Sequence, residues 1–370
     1  MKLRELCTIQ SGGTPSRSKP EFWENGSIPW VKISDFDGKY VSHTEEKITK
    51  CGLLSSSAKV FPKGTLLYTI FATLGEVCIL DIDAATNQAI AGITIKNDNV
   101  DEDYLFYFLT SLKTYVNRIG RGVAQNNINM SILREIEVPL PSIVRQKRIA
   151  DILGKADQLI EKKERQLITL DELVKSRFVE MFGEMHSRVY ETKKLREFCK
   201  FQQGTQVPIE EQIETQLEGY TRFLRIIDYT QAPQPPRYVS VKGKKIEEDS
   251  VVVVRYGATA GFVGHGYAGI LANNLFEVIP DEATMSKEFL YLTLKHGTFE
   301  QEVHDKAFGA AMPALSFGMM NDIIVAVPSK QAQNEFIVFV KQVDKSKLAV
   351  KQSLEKLETL KKSLMQQYFG

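Results

Sequence analysis

The sequence predicts an α+β fold in which two mixed α/β globular domains are separated by two long helices. The helices are expected to pack as an antiparallel coiled coil, which makes the molecule pseudo-two-fold symmetric. Two observations predict this architecture. The 370-residue chain repeats itself over about half its length, and each copy of the repeat ends in a long run of heptad-spaced apolar residues. A chain of this length can also bury two cores without disulfides or metals.

The repeat is visible from one end of the chain to the other. Four pairs of segments carry it: "CTIQSGGT" (7–14) with "CKFQQGTQ" (199–206), "WVKISDF" (30–36) with "FLRIIDY" (223–229), "FATLGEV" (71–77) with "GATAGFV" (257–263), and "IEVPLPS" (136–142) with "IIVAVPS" (323–329). Single residues match as well: Asn87 with Asn273 at an offset of 186, and Gln146 with Gln333 and Gly183 with Gly370 at an offset of 187. Because the offset changes along the chain, we expect insertions in loops on a shared framework.

Each repeat ends in a predicted helix. The dipeptide Pro-Ser at 141–142 and again at 328–329 ends an extended segment and offers a serine N-cap, and Gly183 and Gly370 suit C-terminal caps. Roughly 40 residues at about 1.5 Å each make a rod of about 60 Å. The first helix leads into the second globule and the second helix leads out of it. Paired helices must therefore run antiparallel, and Gly370 should return to the first globule, close to Met1.

Charged residues interrupt the heptads of the two helices in complementary places: Lys163 and Arg177 match Val350 and Leu364, whereas Lys347 and Lys361 match Ile160 and Val174. Because the interruptions are complementary, pairing of the first helix with the second is favoured over pairing of helices whose apolar faces are identical. The alternative is that each helix packs only on its own globular domain.

The two globular halves have the pattern of mixed α/β structure. Apolar runs at 64–71, 89–95 and 250–256 are typical of strands bounded by glycine-containing turns. The segments 101–119 and 286–303 have the spacing of amphipathic helices, whose aromatic residues we assign to the core.

Composition predicts a soluble, cytoplasmic protein with no membrane partner. Hydrophobic residues make up 43% and charged residues 25% of the chain, and no apolar stretch is long enough to span a bilayer. Four scattered cysteines and five scattered histidines predict neither disulfides nor a metal site. The net charge of +1 argues against simple electrostatic binding of nucleic acid, so any DNA contact requires a local basic patch or a basic partner.

The sequence offers no convincing catalytic constellation. It contains neither a GxxxxGK[ST] loop nor a GxGxxG motif after a strand, and no carboxylates are spaced to converge on a metal. We therefore expect a binding protein, not an enzyme, without a cofactor of its own.

Polar loops at matching places in the two halves are candidates for DNA contacts. Arginine and lysine suit phosphates and guanine, and glutamine and asparagine suit adenine. The predicted DNA-binding residues are Thr14, Ser16, Arg17, Lys19, Lys32, Arg118, Arg121, Gln125, Asn126 and Asn127 in the first half, and Thr205, Gln206, Arg225, Lys242, Lys244, Lys245 and Lys306 in the second. The alternative for each is an exposed loop residue or turn former. For the whole chain, the alternative is a coiled-coil scaffold with two protein-binding domains.

Three features together resemble the specificity subunits of type I restriction-modification systems. They are "SGGTPSRSKPEFWENGSIPWVKISDF" at the front, "QNNINMSILREIEVPLPSIVRQKRIADIL" at the first junction, and the repeated FG ending. The resemblance covers nearly the whole chain. It implies target-recognition domains at 1–144 and 186–331 and conserved spacer helices at 145–185 and 332–370. The second half departs from the first where Met312, Pro313 and Ala314 replace Gln125, Asn126 and Asn127.

The resemblance also implies a function and a set of partners. The chain would recognise a bipartite, asymmetric site in double-stranded DNA. Matching the rigid helical rod to one face of B-DNA puts the half-sites about one helical turn, roughly 34–36 Å, apart. Two methyltransferase subunits would bind S-adenosylmethionine and methylate adenine, and restriction subunits would use ATP and Mg²⁺ to translocate and cleave DNA. These cofactors would belong to the partners and not to this chain.

Overall fold

The computed structural model describes residues 1–120, 128–183, 190–231, 234–297, 299, 302–303 and 314–370. The chain divides into two compact units. Unit 1 contains Met1–Lys163 and Ser353–Gly370, and unit 2 contains Glu164–Gln352. Within the described residues, no helix is both long enough and apolar enough to cross a lipid bilayer.

Two sheets are formed by the described part of unit 1. Its strands are β1 (Cys7–Ser11), β2 (Ile28–Val31), β3 (Tyr40–Val41), β4 (Glu46–Ile48), β5 (Val60–Phe61), β6 (Leu66–Thr69), β7 (Val77–Leu80), β8 (Ala84–Thr86) and β9 (Ile90–Ile95). One sheet has the order β1-β9-β6-β7-β3 and the other β4-β2-β8-β5. The helices of the globular part are α1 (Leu3–Leu6), α2 (Lys50–Leu54), α3 (Glu102–Ser111), α4 (Lys113–Gly120) and α5 (Met130–Glu135), and the long helix α6 (Ile143–Phe182) follows them.

The described residues of unit 2 form three sheets. Its strands are β10 (Thr192–Lys194), β11 (Cys199–Gln203), β12 (Thr221–Leu224), β13 (Arg237–Val239), β14 (Lys245–Ile246), β15 (Val251–Val254), β16 (Val263–Gly264), β17 (Gly269–Leu271), β18 (Leu275–Pro280) and β19 (Ile324–Ala326). The sheet orders are β11-β18-β15-β16, β13-β12-β17-β14 and β10-β19. The helices are α7 (Ile226–Thr230), α8 (Lys287–His296), α9 (Phe317–Asn321) and the long α10 (Lys330–Phe369).

The two units repeat one topology, which confirms the predicted fold class. In unit 1, β2 pairs in parallel with β8 and places Trp30 opposite Ala85. In unit 2, β12 pairs in parallel with β17 and places Phe223 opposite Ile270. Likewise, β9 lies between β1 and β6 as β18 lies between β11 and β15. The shared framework extends to hydrogen-bond register, although the two sequences differ at most positions.

The continuous apolar strands are buried on both faces. Side chains of successive strand residues point to opposite faces. Accordingly, Leu66 and Tyr68 of β6 join the cluster beneath α3, whereas Leu67 joins a second cluster. In β15, Val251 and Val253 pack in one core and the alternate valines in another. Cores on both faces of these strands explain why they lack the polar alternation of half-exposed strands.

The long helices α6 and α10 are each 40 residues long. In unit 2, Asp171 pairs with Lys347 at 2.5 Å, and further along α6 the Phe178 ring lies 5.5 Å from the Phe336 ring, so the segments run antiparallel. In unit 1, Asp157 of α6 forms an ion pair with Lys361 of α10. The two lysines that interrupt the second helix thus each meet an aspartate of the first. The predicted antiparallel pairing is confirmed within each unit, and packing of each helix only on its own globule is wrong.

The last residues of α10 pack on the globular part of unit 1. The Phe369 ring lies 5.4 Å from Tyr104 and 5.8 Å from Phe108, both on α3. Leu364 and Met365 join the same apolar cluster. The predicted return of the chain end to the first globule is therefore confirmed. Gly183 at the end of α6 has a φ of 76°, a left-handed conformation that suits glycine at a helix C-terminus.

Candidate nucleic-acid interface

The loop after β1 is held close to β8 by two glycines. Gly12 donates its N–H to the Ile90 carbonyl at 2.9 Å, and Gly13 donates to the Thr86 carbonyl at 2.9 Å. A Cβ on Gly12 would lie 2.1 Å from the Thr86 hydroxyl oxygen, and a Cβ on Gly13 would lie 2.4 Å from the backbone nitrogen of Ala58. Only glycine fits so close an approach. The predicted DNA-binding stretch 14–19 therefore leaves the sheet from a tightly anchored point.

An aromatic pair supports this loop. The Trp30 indole N–H donates to the Gly13 carbonyl at 3.0 Å, and the Trp23 indole N–H donates to the Ser16 carbonyl at 3.1 Å. The two rings meet edge to face, 4.9 Å apart. The Arg17 guanidinium lies 3.7 Å from the centre of the Trp23 ring. Arg17 is thus stacked on a ring that is itself bonded to the loop backbone.

Two carboxylates compensate the cations of this surface. Arg17 donates to Glu46 at 2.5 Å, and Lys32 lies 2.6 Å from Glu45 and 2.9 Å from Glu46. The hydrogen bond from Arg17 is the main reason that the pKa of Glu46 lies below its usual value, and burial opposes it. Hydrogen bonds to Glu45 and Glu46 raise the pKa of Lys32. Two of the predicted DNA-binding cations are therefore locally neutralised in the free chain.

Four further predicted residues of unit 1 lie at or near its surface: Thr14, Ser16, Lys19 and Arg118. Thr14 donates its hydroxyl to the Gln88 amide oxygen, and the hydroxyls of Ser16 and Ser18 are 2.9 Å apart. The Lys19 ammonium is 5.0 Å from the Phe22 ring. Arg118 is exposed near the end of α4, 5.8 Å from the Tyr115 ring. Arg121, Gln125, Asn126, Asn127 and, in unit 2, Lys306 lie outside the described residues.

In unit 2, an exposed lysine turn lies beside the matching loop. The hydroxyl oxygen of Thr205 accepts from the Lys244 backbone N–H at 3.1 Å, which joins the turn to the loop after β11. A Cβ on Gly243 would lie 2.5 Å from Ile270 and 3.1 Å from the Thr205 hydroxyl, so glycine permits this approach. Lys242, Lys244 and Lys245 are exposed, and no described carboxylate pairs with them. Unlike Arg17 and Lys32, these three lysines have no carboxylate partner among the described residues that a ligand would have to displace.

Arg225 has a structural role that the sequence did not reveal. Its guanidinium donates to Asp228 at 3.0 and 3.3 Å and to the Pro235 carbonyl at 2.9 Å. The Asp228 side chain is only 1% exposed and also accepts the Arg225 backbone N–H at 2.8 Å. Asp35 accepts the Lys32 backbone N–H in the same way, at 2.7 Å. In both copies of the Lys/Arg-Ile-x-Asp motif the aspartate therefore accepts the backbone N–H of the motif's first residue, and the cation of that residue is engaged by a carboxylate.

Sequence reasoning missed the partners of the predicted residues: Trp23, Glu45, Glu46, Gln88 and Asn273. Asn273 donates to the Gln206 amide oxygen at 3.4 Å. The register also corrects one match in the repeat. Asn87 donates its N–H to Val31 as Ala272 does to Leu224, so Gln88, not Asn87, corresponds to Asn273.

Two observations on the described residues concern reactive groups. Burial raises the pKa of the Cys7, Cys78 and Cys199 thiols to about 12, which makes them poor nucleophiles. In the ranges that the structure describes, no three His, Cys, Asp or Glu side chains are grouped so that they could hold a metal ion.

A family model described as the type I restriction modification DNA specificity domain matches the chain twice, over residues 1–170 and 188–360. The chain belongs to this family. The membership confirms the resemblance predicted from the sequence, and a specificity-domain family agrees with the prediction that the chain is not an enzyme.

Individual relatives of the DNA specificity family extend this finding. The chain is 31% identical over 229 residues to the type I restriction enzyme MjaIX specificity subunit of Methanocaldococcus jannaschii, covering 56% of this chain and 52%, about half, of that one. It is 23% identical over 357 residues to the EcoprrI specificity subunit of Escherichia coli, covering 90% and 84%. A solved structure concerned with complex assembly of the type I R-M system has the same fold, with a TM-score of 0.67, 15% identity and coverage of 100% and 96%.

Proposed function

We propose that this chain is the DNA sequence-specificity subunit of a type I restriction-modification complex. Unit 1 reads one half of a bipartite, asymmetric target and unit 2 reads the other. The observation that carries the proposal is the repeated framework with different loop chemistry. The same backbone hydrogen bonds hold a Thr-Pro-Ser-Arg loop in unit 1 and a Thr-Gln loop beside three lysines in unit 2. Two domains that share a backbone framework but carry different side chains on their loops suit two half-sites of different sequence.

The recognition parts lie within 1–144 and 186–331, and the helical segments 145–185 and 332–370 serve as spacers. The predicted residues contribute in two ways. Arg17 and Gln206 suit base edges, whereas Lys242, Lys244 and Lys245 suit phosphates. Arg118, Arg121, Gln125, Asn126, Asn127 and Lys306 remain predicted contacts of the same kind.

The partners follow from the family and from the charge of the chain. A net charge of +1 leaves little unpaired positive charge for a duplex, so a basic partner would supply many phosphate contacts. Two methyltransferase subunits that bind S-adenosylmethionine fill this role, and restriction subunits that use ATP and Mg²⁺ join them. The complex acts in the cytoplasm, where the host DNA lies.

The decisive experiment is the methylome of a host that expresses this chain with its methyltransferase subunit. We expect adenine methylation at one two-part motif with an unread spacer, absent when either subunit is omitted. A single uninterrupted motif would contradict the division between units. No motif at all, with a stable protein complex, would favour a protein-binding scaffold instead.

A further inference from the structure

The two units hold one pair of side chains at equivalent places. Three backbone hydrogen bonds establish the equivalence in each unit. In unit 1 they join Gly12 to Ile90, Gly13 to Thr86 and Ile90 to Asn87; in unit 2 they join Gly204 to Leu275, Thr205 to Leu271 and Leu275 to Ala272. The residue after Gly13 therefore corresponds to the residue after Thr205, and Gln88 corresponds to Asn273. These positions are Thr14 with Gln88 and Gln206 with Asn273.

Each pair is joined by a side-chain hydrogen bond across the two loops. The Thr14 hydroxyl donates to the Gln88 amide oxygen, and the Asn273 amide donates to the Gln206 amide oxygen at 3.4 Å. Gln88 and Gln206 are exposed, whereas Thr14 and Asn273 are half-buried. Both units thus present a polar side chain that a less exposed neighbour on the other loop orients.

The two pairs occupy equivalent positions in the two units but consist of different functional groups. Unit 1 has a hydroxyl and one carboxamide, and unit 2 has two carboxamides. A carboxamide presents a donor and an acceptor in one plane, which matches the N6 and N7 atoms of adenine in the major groove. Within each pair, the side-chain oxygen of Gln88 or Gln206 accepts one hydrogen bond. That oxygen has a second lone pair, and the NH₂ group of the same carboxamide can donate. Each exposed carboxamide can therefore still form a bidentate contact.

We propose that the Thr14–Gln88 and Gln206–Asn273 pairs are base-reading positions, each specifying an A·T pair in its own half-site. The inference rests on the proposed function and names the residues that carry it out. Cations flank both pairs: Arg17 follows Thr14 in the same loop, and the Lys244 backbone is bonded to Thr205, next to Gln206. A phosphate contact by Lys244 would help to set the position of the Gln206 carboxamide over a base edge, and a base contact by Arg17 would do the same for Gln88.

The test uses the assembled methyltransferase complex with Gln88→Ala, Gln206→Ala or Asn273→Ala. The controls are Asn97→Ala in unit 1 and Gln216→Ala in unit 2, which remove exposed carboxamides away from the pairs. The methylome and binding to duplexes with single base-pair changes are measured. We expect Gln88→Ala to relax one position of the first half-site only, and the unit 2 variants to relax one position of the second only. Discrimination should fall roughly 5- to 150-fold, as expected when one bidentate pair of hydrogen bonds to a base is removed.

A second variant gives a gain of function. Gln88→Glu replaces the carboxamide by an acceptor that suits the N4 amino group of cytosine, so the preferred base should change at one position of the first half-site. Unchanged half-sites in all these variants, with a wild-type complex that is specific, would overturn this inference alone. A wild-type complex without sequence-specific binding would overturn the proposed function as well.

Discussion

The Arg17 guanidinium lies 3.7 Å from the centre of the Trp23 ring and donates a hydrogen bond to Glu46. Stacking fixes the plane of the guanidinium, and the carboxylate fixes its rotation within that plane. The Arg17 side chain is still 53% exposed, so a ligand can reach it. Arg17 is thus oriented before any ligand binds, which lowers the entropy cost of a directional contact.

Replacement of Arg17 by lysine should distinguish the effect of the oriented guanidinium on DNA binding from the effect of its positive charge. Arg17→Lys keeps the charge but loses the planar fork, so we expect specific binding by the assembled complex to weaken roughly 10-fold or more, with nonspecific binding nearly unchanged. Trp23→Leu should have the same effect because it removes the stacking surface. Lys50→Ala, which removes one exposed charge of unit 1 outside this loop, is the control. Equal losses for target and random duplexes in Arg17→Lys would mean that Arg17 acts only as a charge.

Glu46 should limit nonspecific binding. Arg17, Lys32, Glu45 and Glu46 together carry no net charge, and Glu46→Gln leaves +1. We expect Glu46→Gln to strengthen binding to random duplexes and to steepen its salt dependence, by up to about 0.9 in log-log slope if the chain neutralises one more phosphate. Discrimination should fall because Arg17 loses its fixed partner. Glu24→Gln, an exposed glutamate without an ion pair in the described structure, is the control. A shallower slope in Glu46→Gln would show that Glu46 does not oppose phosphate.

The ionisation of Glu46 sets the pH range of this effect. Its pKa is lowered in the folded chain, so the ion pair contributes stability above the ordinary glutamate pKa. That contribution is lost as pH falls through the lowered value. Binding titrations between pH 5.5 and 8, a range chosen above the ordinary glutamate pKa of about 4.3, should therefore show no Glu46-dependent change. A wild-type complex that behaves like Glu46→Gln at pH 6 would contradict the assignment.

The framework was predictable because its signals are local or repeated. Heptad spacing predicted both long helices, and the matching lysines Lys347 and Lys361 predicted their pairing. The equivalence of Gln88 and Asn273 was not predictable, because unit 2 has one more residue between β15 and β16 and one fewer before β17. The structural offset between the units is 185 residues at β6 and β15, 186 at β7 and β16, and 185 again at β8 and β17. A sequence match that keeps the offset of 186 past β16 is therefore wrong by one residue. Likewise, the carboxylates that pair with Arg17 and Lys32 come from β4 and its preceding loop, and no local sequence pattern encodes these contacts.

Arg225 and the lysine turn should respond differently to mutation. Arg225→Ala leaves Asp228, whose side chain is 1% exposed, without its closest cation, and the next, Arg222, lies 3.8 Å away. We expect a loss of about 3 kcal/mol in the free energy of unfolding. The triple variant of Lys242, Lys244 and Lys245 to alanine should leave stability within about 0.5 kcal/mol. It should instead reduce the salt dependence of DNA binding, by roughly 0.9 in log-log slope for each phosphate that these lysines neutralise in the wild-type complex.

Urea unfolding of the full chain and salt titration of the complex check these two expectations. The lysine triple variant is the matched control for Arg225→Ala in the first measurement, and Arg225→Lys is a further control for charge alone. A stable Arg225→Ala variant with a reduced salt slope would assign Arg225 to phosphate binding and not to the helix cap.

Two buried glutamines should matter for stability rather than for binding. Gln146 is fully buried; it donates to the Asn99 and Pro141 carbonyls and accepts the Asp101 N–H, all at 2.9 Å. Gln333 is its counterpart and donates to Thr284 at 2.9 Å and to Pro328 at 3.0 Å. Each glutamine joins the first turn of a long helix to the start of a helix in the globular part. Leucine at either position would leave a buried N–H and two carbonyls without these partners.

We therefore expect Gln146→Leu and Gln333→Leu each to lower the free energy of unfolding by about 3 kcal/mol, since each unpaired buried group costs about 1–3 kcal/mol. Gln342→Leu, an exposed change on the same helix as Gln333, should alter it by less than about 0.5 kcal/mol. Urea unfolding of the three full-length variants makes the comparison. Similar values for all three would mean that water replaces the missing partners, and the glutamines would then not be what fixes the long helices to the globular parts.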